Sequence, residues 1–205
     1  MGGGAASRAS SLTADDLGSP AQRDRHRRIL DATIALASAG GFDAVQMRAV
    51  AERADVALGT LYRYFPSKIH LLVSALGREF EHADAVTRER PVRGDTAHER
   101  VMGLLGRTNA TLQRDPHLTE ALTRAFMFAD ASVQGEIRSV AALLTSMLTR
   151  AMRPGPEVPT AEDEAIARVV IDVWLSSLVG WVTGRSTAED VTEHLDVAVR
   201  LLLRD

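Results

Sequence analysis

The fold of this chain is decided by residues 46–68, which read QMRAVAERADVALGTLYRYFPSK. Residues 48–53 favour a short helix, and residues 54–56 supply a small residue and a turn former before a second apolar spacing begins. Two helices should therefore cross closely here, and the Pro-Ser pair at 66–67 ends the second of them. The pattern is typical of a helix-turn-helix, which places its second helix in the DNA major groove.

The second helix of this motif has two different sides. Leu58, Leu61 and Phe65 recur at intervals of three and four residues, so they should face inward. Hydroxyl and guanidinium groups suit phosphate oxygens and base edges, and a glycine lets the backbone approach closely. The alternative is an ordinary helical hairpin with a solvated polar face. The side expected to be exposed consists of Gly59, Thr60, Tyr62, Arg63 and Tyr64.

Charge is distributed unevenly along the chain. The net charge is -3, but residues 20–70 hold eight basic and five acidic side chains, whereas residues 71–205 hold fifteen and twenty. Four arginines fall within residues 23–28, RDRHRR, and suit a helix end lying along the phosphate backbone. The alternative for this cluster is a solvated helix surface. A basic end on an acidic body would orient the protein toward DNA.

Residues 58–68 resemble the DNA-reading helix of the tetracycline-repressor (TetR) family of bacterial transcriptional regulators. The segments RRILDA at 27–32 and GGFD at 40–43 are similar to that family's first helix and its glycine stop. The motif resemblance spans residues 23–76, and beyond it only the all-helical layout agrees. The resemblance implies a DNA-binding homodimer with a helical domain for a small-molecule effector.

The resemblance also implies roles for individual side chains at the DNA. Tyr62, Tyr64 and Lys68 would contact DNA phosphates, and Thr60 would make a supporting contact. Tyr62 and Tyr64 flank an arginine that would lie on the same surface. The full set of candidate DNA-binding residues is Arg27, Arg28, Gln46, Arg48, Leu58, Gly59, Thr60, Tyr62, Arg63, Tyr64 and Lys68.

Three residues are implied to lie nearest the base edges: Arg48, Leu58 and Gly59. Arg48 could bond a guanine in bidentate fashion, whereas Leu58 offers only apolar contact, for instance to a thymine methyl. Gln46 and Ala57 depart from the family, which commonly has Ser or Thr at the starts of both motif helices. Two phosphate-contacting hydroxyls are therefore missing, which shifts some expected affinity to the arginines of residues 23–28.

Composition predicts a cytoplasmic protein that folds without covalent links. The chain has 205 residues, 45% of them hydrophobic, and no cysteine, which excludes disulfides and zinc sites of the cysteine type. Residues 1–20 contain no apolar run, so we predict a disordered tail and no secretory signal. The longest apolar run, residues 169–182, is too short to span a bilayer and favours a buried helix.

The remaining sequence divides at helix caps into an all-α fold of about nine helices. Ser67 is expected to cap a long helix, and Asp115 precedes a proline that starts another. Further starts are predicted where a hydroxyl is followed three residues later by an acid, at Thr96, Thr160 and Ser186. The predicted domains are a tail at 1–20, a helix-turn-helix domain at 21–66, and a ligand-binding and dimerisation domain at 67–205.

The helix predicted from residue 161 to 183 is apolar on two sides, so both sides must be covered. One side can pack within its own subunit, while the other joins the final helix in pairing with a second copy. The alternative is that one chain buries both sides. A two-fold dimer would require an inverted-repeat operator. The candidate interface residues are Trp174, Leu178, Trp181, Leu195, Ala198 and Leu202.

Methionine and phenylalanine residues after position 100 suit an irregular pocket for a large apolar effector, although each could be plain core. The chain also resembles actinobacterial regulators of sterol degradation within the same family. That resemblance implies a steroid acid joined to coenzyme A as effector, and no cofactor. Effector binding would move the helix that begins at Ser67 and so release DNA. The candidate ligand-binding residues are Met102, Leu105, Asn109, Arg124, Phe126, Met127, Phe128, Thr145, Met147 and Trp174.

Other classes of function fit the sequence less well. It lacks a nucleophile elbow, a phosphate loop, a dinucleotide fingerprint and paired metal-binding histidines, so we expect neither an enzyme nor a metal site. A helical adaptor that binds only protein would explain the apolar final helices but not the polar face at residues 59–64. A regulator of the same family that controls efflux or fatty-acid metabolism remains open.

Overall fold

The computed structural model describes residue 11 and residues 18–155 and 158–203 of the chain. These residues form nine α-helices and no strand, as the sequence predicted. The predicted disordered tail lies almost wholly outside the described residues. The helices are α1 (Pro20–Ala44), α2 (Met47–Arg53), α3 (Leu58–Tyr64), α4 (Lys68–Glu89), α5 (Ala97–Arg114), α6 (Pro116–Met127), α7 (Gln134–Met152), α8 (Ala161–Val182) and α9 (Ala188–Leu202), with a 3-10 turn at Ala131–Val133.

The predicted helix starts agree with the structure except at α9. Thr96, Asp115 and Thr160 each accept a hydrogen bond from a backbone N–H three residues later, which satisfies a free donor of the first turn. The predicted start at Ser186 is wrong by one residue. The N–H of Ser186 still donates to the carbonyl of Gly180 in the turn that ends α8, so Thr187 becomes the cap.

The first three helices, here called the head, share a core with the body formed by α4 to α9. Ile29, Val50 and Leu61 are fully buried in the head, and the same cluster continues into α4 and α6 through Leu71 and Ala125. The predicted domain division after residue 66 therefore falls at the start of α4, in the middle of a continuous core. The head rests directly on α6, which is the element that positions it.

The body has a second core and an uncovered apolar surface. Leu105, Leu148 and Leu195 are buried between α5, α7 and α9. The apolar run at residues 169–182 was expected to be too short for a bilayer, but it lies in α8, whose 22 residues are long and apolar enough to cross a membrane. Only 28% of this apolar stretch is buried inside the subunit, so the expectation of a buried helix is wrong for its outer side. Its outer side exposes Val169, and α9 beside it exposes Leu201 to 59%. The outer sides of α8 and α9 thus leave apolar surface uncovered in a single chain.

Candidate nucleic-acid interface and effector cavity

The turn between α2 and α3 depends on a residue with left-handed backbone. Asp55 has a φ of 52°, a conformation that Asp and Asn adopt more readily than most side chains. The guanidinium of Arg28 donates to the carbonyls of Ala54 and Asp55 and also pairs with Asp24. Arg28 therefore holds the turn in place, and its predicted contact with DNA stays a prediction.

The exposed side of α3 agrees with the sequence prediction at three positions. Gly59 is exposed, and a Cβ added to it would meet no atom within 4 Å. Tyr62 is 47% exposed, and Arg63 beside it is also exposed. Arg48 of α2 is exposed and, like Arg63, makes no hydrogen bond or ion pair within the part of the chain that the structure describes. These donors are available to a partner.

The prediction that Tyr64 is exposed is wrong. Its side chain is only 1% exposed and lies in the head core, near the rings of His26 and Phe65. Tyr64 follows the buried Leu61 by three residues and therefore falls on the same inward side of the helix. Leu58 is partly buried against this core as well, so its access to a base edge is reduced.

The remaining head candidates occupy different environments. Gln46 is exposed at the start of α2 but makes no side-chain cap, and Thr60 is half-buried. Arg27 is exposed and pairs with Asp24. The ammonium of Lys68 lies 3.7 Å from the centre of the Phe42 ring, and burial lowers the pKa of Lys68. Lys68 is therefore engaged by an aromatic ring rather than presented freely to phosphate.

An apolar cavity of about 60 Å³ lies in the body, between α4, α5, α6, α7 and α8. Helix α6 supplies four residues of its wall, and α4 supplies Leu76 and Phe80. Two of the predicted ligand residues, Phe126 and Trp174, line it. The sequence prediction missed the remaining wall residues, which are Leu76, Phe80, Leu112, Thr119, Leu122, Thr123, Val140, Leu144, Ile171, Leu175 and Leu178. An amphipathic pattern identifies these as inward-facing but does not separate cavity wall from core.

Asn109 and Trp174 form a buried polar pair next to this cavity. The indole N–H of Trp174 donates to Oδ1 of Asn109 at 2.8 Å. Because an indole N–H only donates, the amide orientation is fixed with Nδ2 turned elsewhere. Nδ2 is buried and has no hydrogen-bond partner among the described residues. One turn along α5 from Asn109, Leu112 lines the cavity, so an unused donor lies close to the cavity wall.

Several predicted ligand residues lie elsewhere. Met127 and Phe128 are about half exposed, because α6 ends there and Phe128 packs against Phe42 of the head instead. Arg124 also faces the head. The other candidates do not line the cavity: Leu105 is buried core, Met102 borders an open groove against α9, Thr145 is half-buried, and Met147 lines a different cavity.

The head-facing side of α6 makes polar contacts with the end of α1. The backbone N–H of Phe42 donates to the carboxylate of Glu120 at 2.8 Å. Arg124 pairs with Glu120 at 2.8 Å and with Asp43 at 3.3 Å, and its guanidinium lies over the Phe42 ring. Since α6 also lines the apolar cavity, one helix contacts both the cavity and the head.

Three of the six predicted interface residues face the interior of the subunit. Trp174 and Leu178 line the cavity, and Leu195 is fully buried, so their assignment to a dimer interface is wrong. Both sides of α8 are apolar, so the sequence did not identify the inward one. Trp181, Ala198 and Leu202 are half-buried. Among the described residues of α8 and α9, the exposed large apolar side chains are Val169, Val197 and Leu201.

Comparison with known families accounts for both halves of this architecture. Residues 29–75 match the bacterial regulatory proteins of the tetR family, and residues 94–202 match the tetracyclin repressor-like C-terminal domain. The chain belongs to the TetR family of transcriptional regulators. It is a regulator of the repressor type and not an enzyme.

Individual relatives agree with this assignment. The chain is 59% identical over 192 residues to the HTH-type transcriptional repressor KstR of Mycolicibacterium smegmatis, covering 94% of this chain and 93% of that relative. It is similar to the crystal structure of a TetR regulator from Rhodococcus sp. RHA1, with a TM-score of 0.82, 31% identity and coverage of 90% and 98%. Thermus thermophilus FadR, solved with lauroyl-CoA, has the same fold, with a TM-score of 0.68, 20% identity and coverage of 87% and 93%.

Proposed function

We propose that this repressor binds an inverted-repeat operator as a cytoplasmic homodimer and leaves it when a large apolar coenzyme A thioester binds. The observation that carries the DNA-binding part is a set of exposed donors on α2 and α3, Arg48, Tyr62 and Arg63, which have no partner among the described residues and lie beside the open backbone of Gly59. Arginine reads guanine edges, and tyrosine hydroxyls suit phosphates. Gln46, Thr60 and Arg27 are supporting contacts in this proposal.

Pairing of two subunits is supported by the apolar outer sides of α8 and α9. Val169, Val197 and Leu201 are each more than two-fifths exposed. A second copy that covers this surface with its own α8 and α9 would form a four-helix interface. Two heads then meet two half-sites on one face of the DNA.

The sterol assignment is supported by similarity to KstR along nearly the whole chain, including the cavity-lining helices. Since KstR-like regulators are associated with sterol degradation, we propose the same class of target genes here. The effector would be a steroid acid joined to coenzyme A. That FadR, a protein of the same fold, was solved with lauroyl-CoA supports a thioester as the effector type.

We attribute the release of DNA to the small size of the apolar cavity, because an effector can enter only by moving its walls. Its volume of about 60 Å³ is far below that of ordinary ligand pockets, roughly 300–1,000 Å³. A steroid therefore has to displace the walls, and α6 is one of them. Displacement of α6 alters the Glu120 and Arg124 contacts to the head, and α4, which also lines the cavity, moves with it. Effector releases DNA only to the extent that it prefers this displaced conformation.

Asn109 is the proposed polar anchor within the effector site. Its buried Nδ2 lacks a partner, and leaving such a donor unpaired costs about 1–3 kcal/mol. An oxygen on the effector that accepts this hydrogen bond would recover that cost. Changing Asn109 to Leu should therefore weaken effector binding without altering DNA affinity.

The test begins with DNA fragments recovered from cells that contain this protein, read for a shared inverted repeat. In mobility-shift titrations, Arg48→Ala should weaken binding to that repeat by about 1–3 kcal/mol, whereas Arg93→Ala, exposed in the loop beyond the end of α4 that lies away from the head, should not. A cholestenoic acid coenzyme A thioester is then titrated into the complex. Unchanged DNA affinity at saturating thioester would reject the effector, and unchanged binding by Arg48→Ala would reject the interface.

A further inference from the structure

A second cavity, of about 270 Å³, lies beside the C-terminal ends of α4 and α7. Its wall contains four arginines, Arg88, Arg100, Arg150 and Arg153, and no described acidic side chain. We call it the arginine cavity. Guanidinium groups present planar sets of donors that match phosphate oxygens. A concave site with four of them suits a ligand that carries several phosphates.

Two of these guanidiniums are held by one buried carboxylate. Asp84, only 7% exposed, accepts a hydrogen bond from Arg88 at 2.8 Å and also pairs with Arg150. Asp84 neutralises about one of these two positive charges. The shared contact also fixes both side chains in the cavity wall, which lowers the entropy cost of binding an anion there.

The other two arginines differ in their partners. Arg153 pairs with Asp163 at 2.7 Å. Arg100 donates to the carbonyls of Gly94, Ala151 and Met152 and has no carboxylate within ion-pair distance among the described residues. Among the described residues, two carboxylates, Asp84 and Asp163, contact these four guanidiniums, so the described part of the wall is positively charged.

The arginine cavity and the apolar cavity both lie along α4 and α7, and the arginine cavity is nearer the C-terminal ends of these helices. On α4, Phe80 lines the apolar cavity and Thr87 lines the arginine cavity, seven residues or about 10 Å farther along the helix. On α7, Leu144 lines the first cavity and Arg150 the second. A long ligand lying along α4 and α7 would reach both.

We infer that the arginine cavity binds the phosphates of a coenzyme A thioester whose acyl group occupies the apolar cavity. This inference rests on the proposed effector class and assigns residues to its polar end. A coenzyme A thioester has an apolar acyl group at one end, a flexible pantetheine arm, and a pyrophosphate with a further phosphate at the other end. Charge and apolar surface are therefore separated in the ligand as they are along the two helices.

The experiment compares three probes by calorimetry on the full chain: lauroyl-CoA, laurate and unacylated coenzyme A. The test variant is Arg88→Gln with Arg153→Gln, whose guanidiniums are partly exposed and whose loss leaves Arg100 and Arg150 in place. The control is Arg114→Gln with Arg138→Gln, which removes two exposed charges outside both cavities. Thermal unfolding shows whether each variant is folded, and Arg88→Gln alone replaces the double variant if it is not.

We expect wild type to bind lauroyl-CoA more tightly than laurate, and the test variant to bind lauroyl-CoA and coenzyme A about tenfold more weakly. Laurate binding should not change, and the control should match wild type. Equal binding of both thioester and coenzyme A by wild type and the test variant would overturn the inference, as would no binding of either to wild type. If coenzyme A binds through Arg88 and Arg153 but no thioester releases operator DNA, the proposed effector fails and the phosphate site stands.

Discussion

The backbone N–H of Phe42 donates to the carboxylate of Glu120 across the junction between α1 and α6, at 2.8 Å. Gly41, with a φ of 69°, precedes Phe42, and a Cβ added to Gly41 would lie 2.6 Å from the same carboxylate. Glu120 thus packs where any other residue at position 41 would place its side chain. This contact ties the end of the head's first helix to a wall of the apolar cavity.

Glu120→Ala is expected to reduce communication between effector and DNA. The substitution removes the acceptor for the Phe42 N–H and one partner of Arg124. Coupling between two sites typically amounts to about 1–3 kcal/mol, so the ratio of operator Kd with and without thioester should fall about fivefold or more. Glu189→Ala, exposed in α9, is the control. A ratio equal to that of wild type would show that coupling does not pass through this contact.

Tyr62 and Tyr64 form a matched pair that separates DNA binding from stability. Tyr62→Ala should weaken operator binding and leave the melting temperature nearly unchanged, because its ring is 47% exposed. Tyr64→Ala removes a buried ring and should cost about 3–5 kcal/mol of folding free energy. Mobility shifts and thermal unfolding of both variants provide the measurements. Equal melting temperatures for the two variants would contradict this placement of the rings.

Val197→Glu with Leu201→Glu should produce monomers. Both side chains are exposed on the outer side of α9, and a charge placed there cannot be buried against a second copy without a large cost. Light scattering after size-exclusion chromatography measures the mass. Val158→Glu, on a loop residue that is even more exposed, should leave the dimer intact. A double variant with the same mass as wild type would place the interface elsewhere.

Asp163 should contribute stability that disappears in acid. Burial by itself would raise its pKa, but hydrogen bonds from Thr160 and Arg153 outweigh burial and hold the pKa below its usual range. Since the folded pKa lies below the unfolded one, the contribution is complete above the unfolded pKa, near 4, and is lost as pH falls through the folded value. Asp163→Asn should therefore lose about 1 kcal/mol at pH 7 and progressively less as the pH falls below about 4.

Thermal unfolding of wild type and Asp163→Asn between pH 7 and pH 3 provides the measurement. Glu162→Gln, at an exposed neighbouring position, is the control and should follow wild type throughout. A difference between wild type and Asp163→Asn that stays constant down to pH 3 would show that ionisation of this carboxylate does not contribute.

The local features of the fold were predictable from the sequence. The helix caps at Thr96, Asp115 and Thr160 each join two residues that are three positions apart, so residues close in the sequence determine them. Tyr64 was misplaced because the apolar spacing of Leu58, Leu61 and Phe65 already accounted for an inward side. A tyrosine three residues after Leu61 fits that side equally well.

The long-range features were not predictable in the same way. Phe42 and Glu120 are 78 residues apart, and no periodicity relates a backbone N–H to so distant a carboxylate. The arginines of the second cavity come from three helices, α4, α5 and α7, and from the residue after α7, so only the fold brings them together. Helix α8 shows a different limit, because a helix that is apolar on both sides does not reveal which side its own subunit covers.

The apolar outer sides of α8 and α9 have a consequence for gene dosage. If only dimers bind the operator, then at low expression the concentration of dimer is proportional to the square of the concentration of subunits. Halving synthesis would leave about a quarter of the pairs. In the absence of effector, repression of the target genes would therefore change over a narrow range of protein concentration.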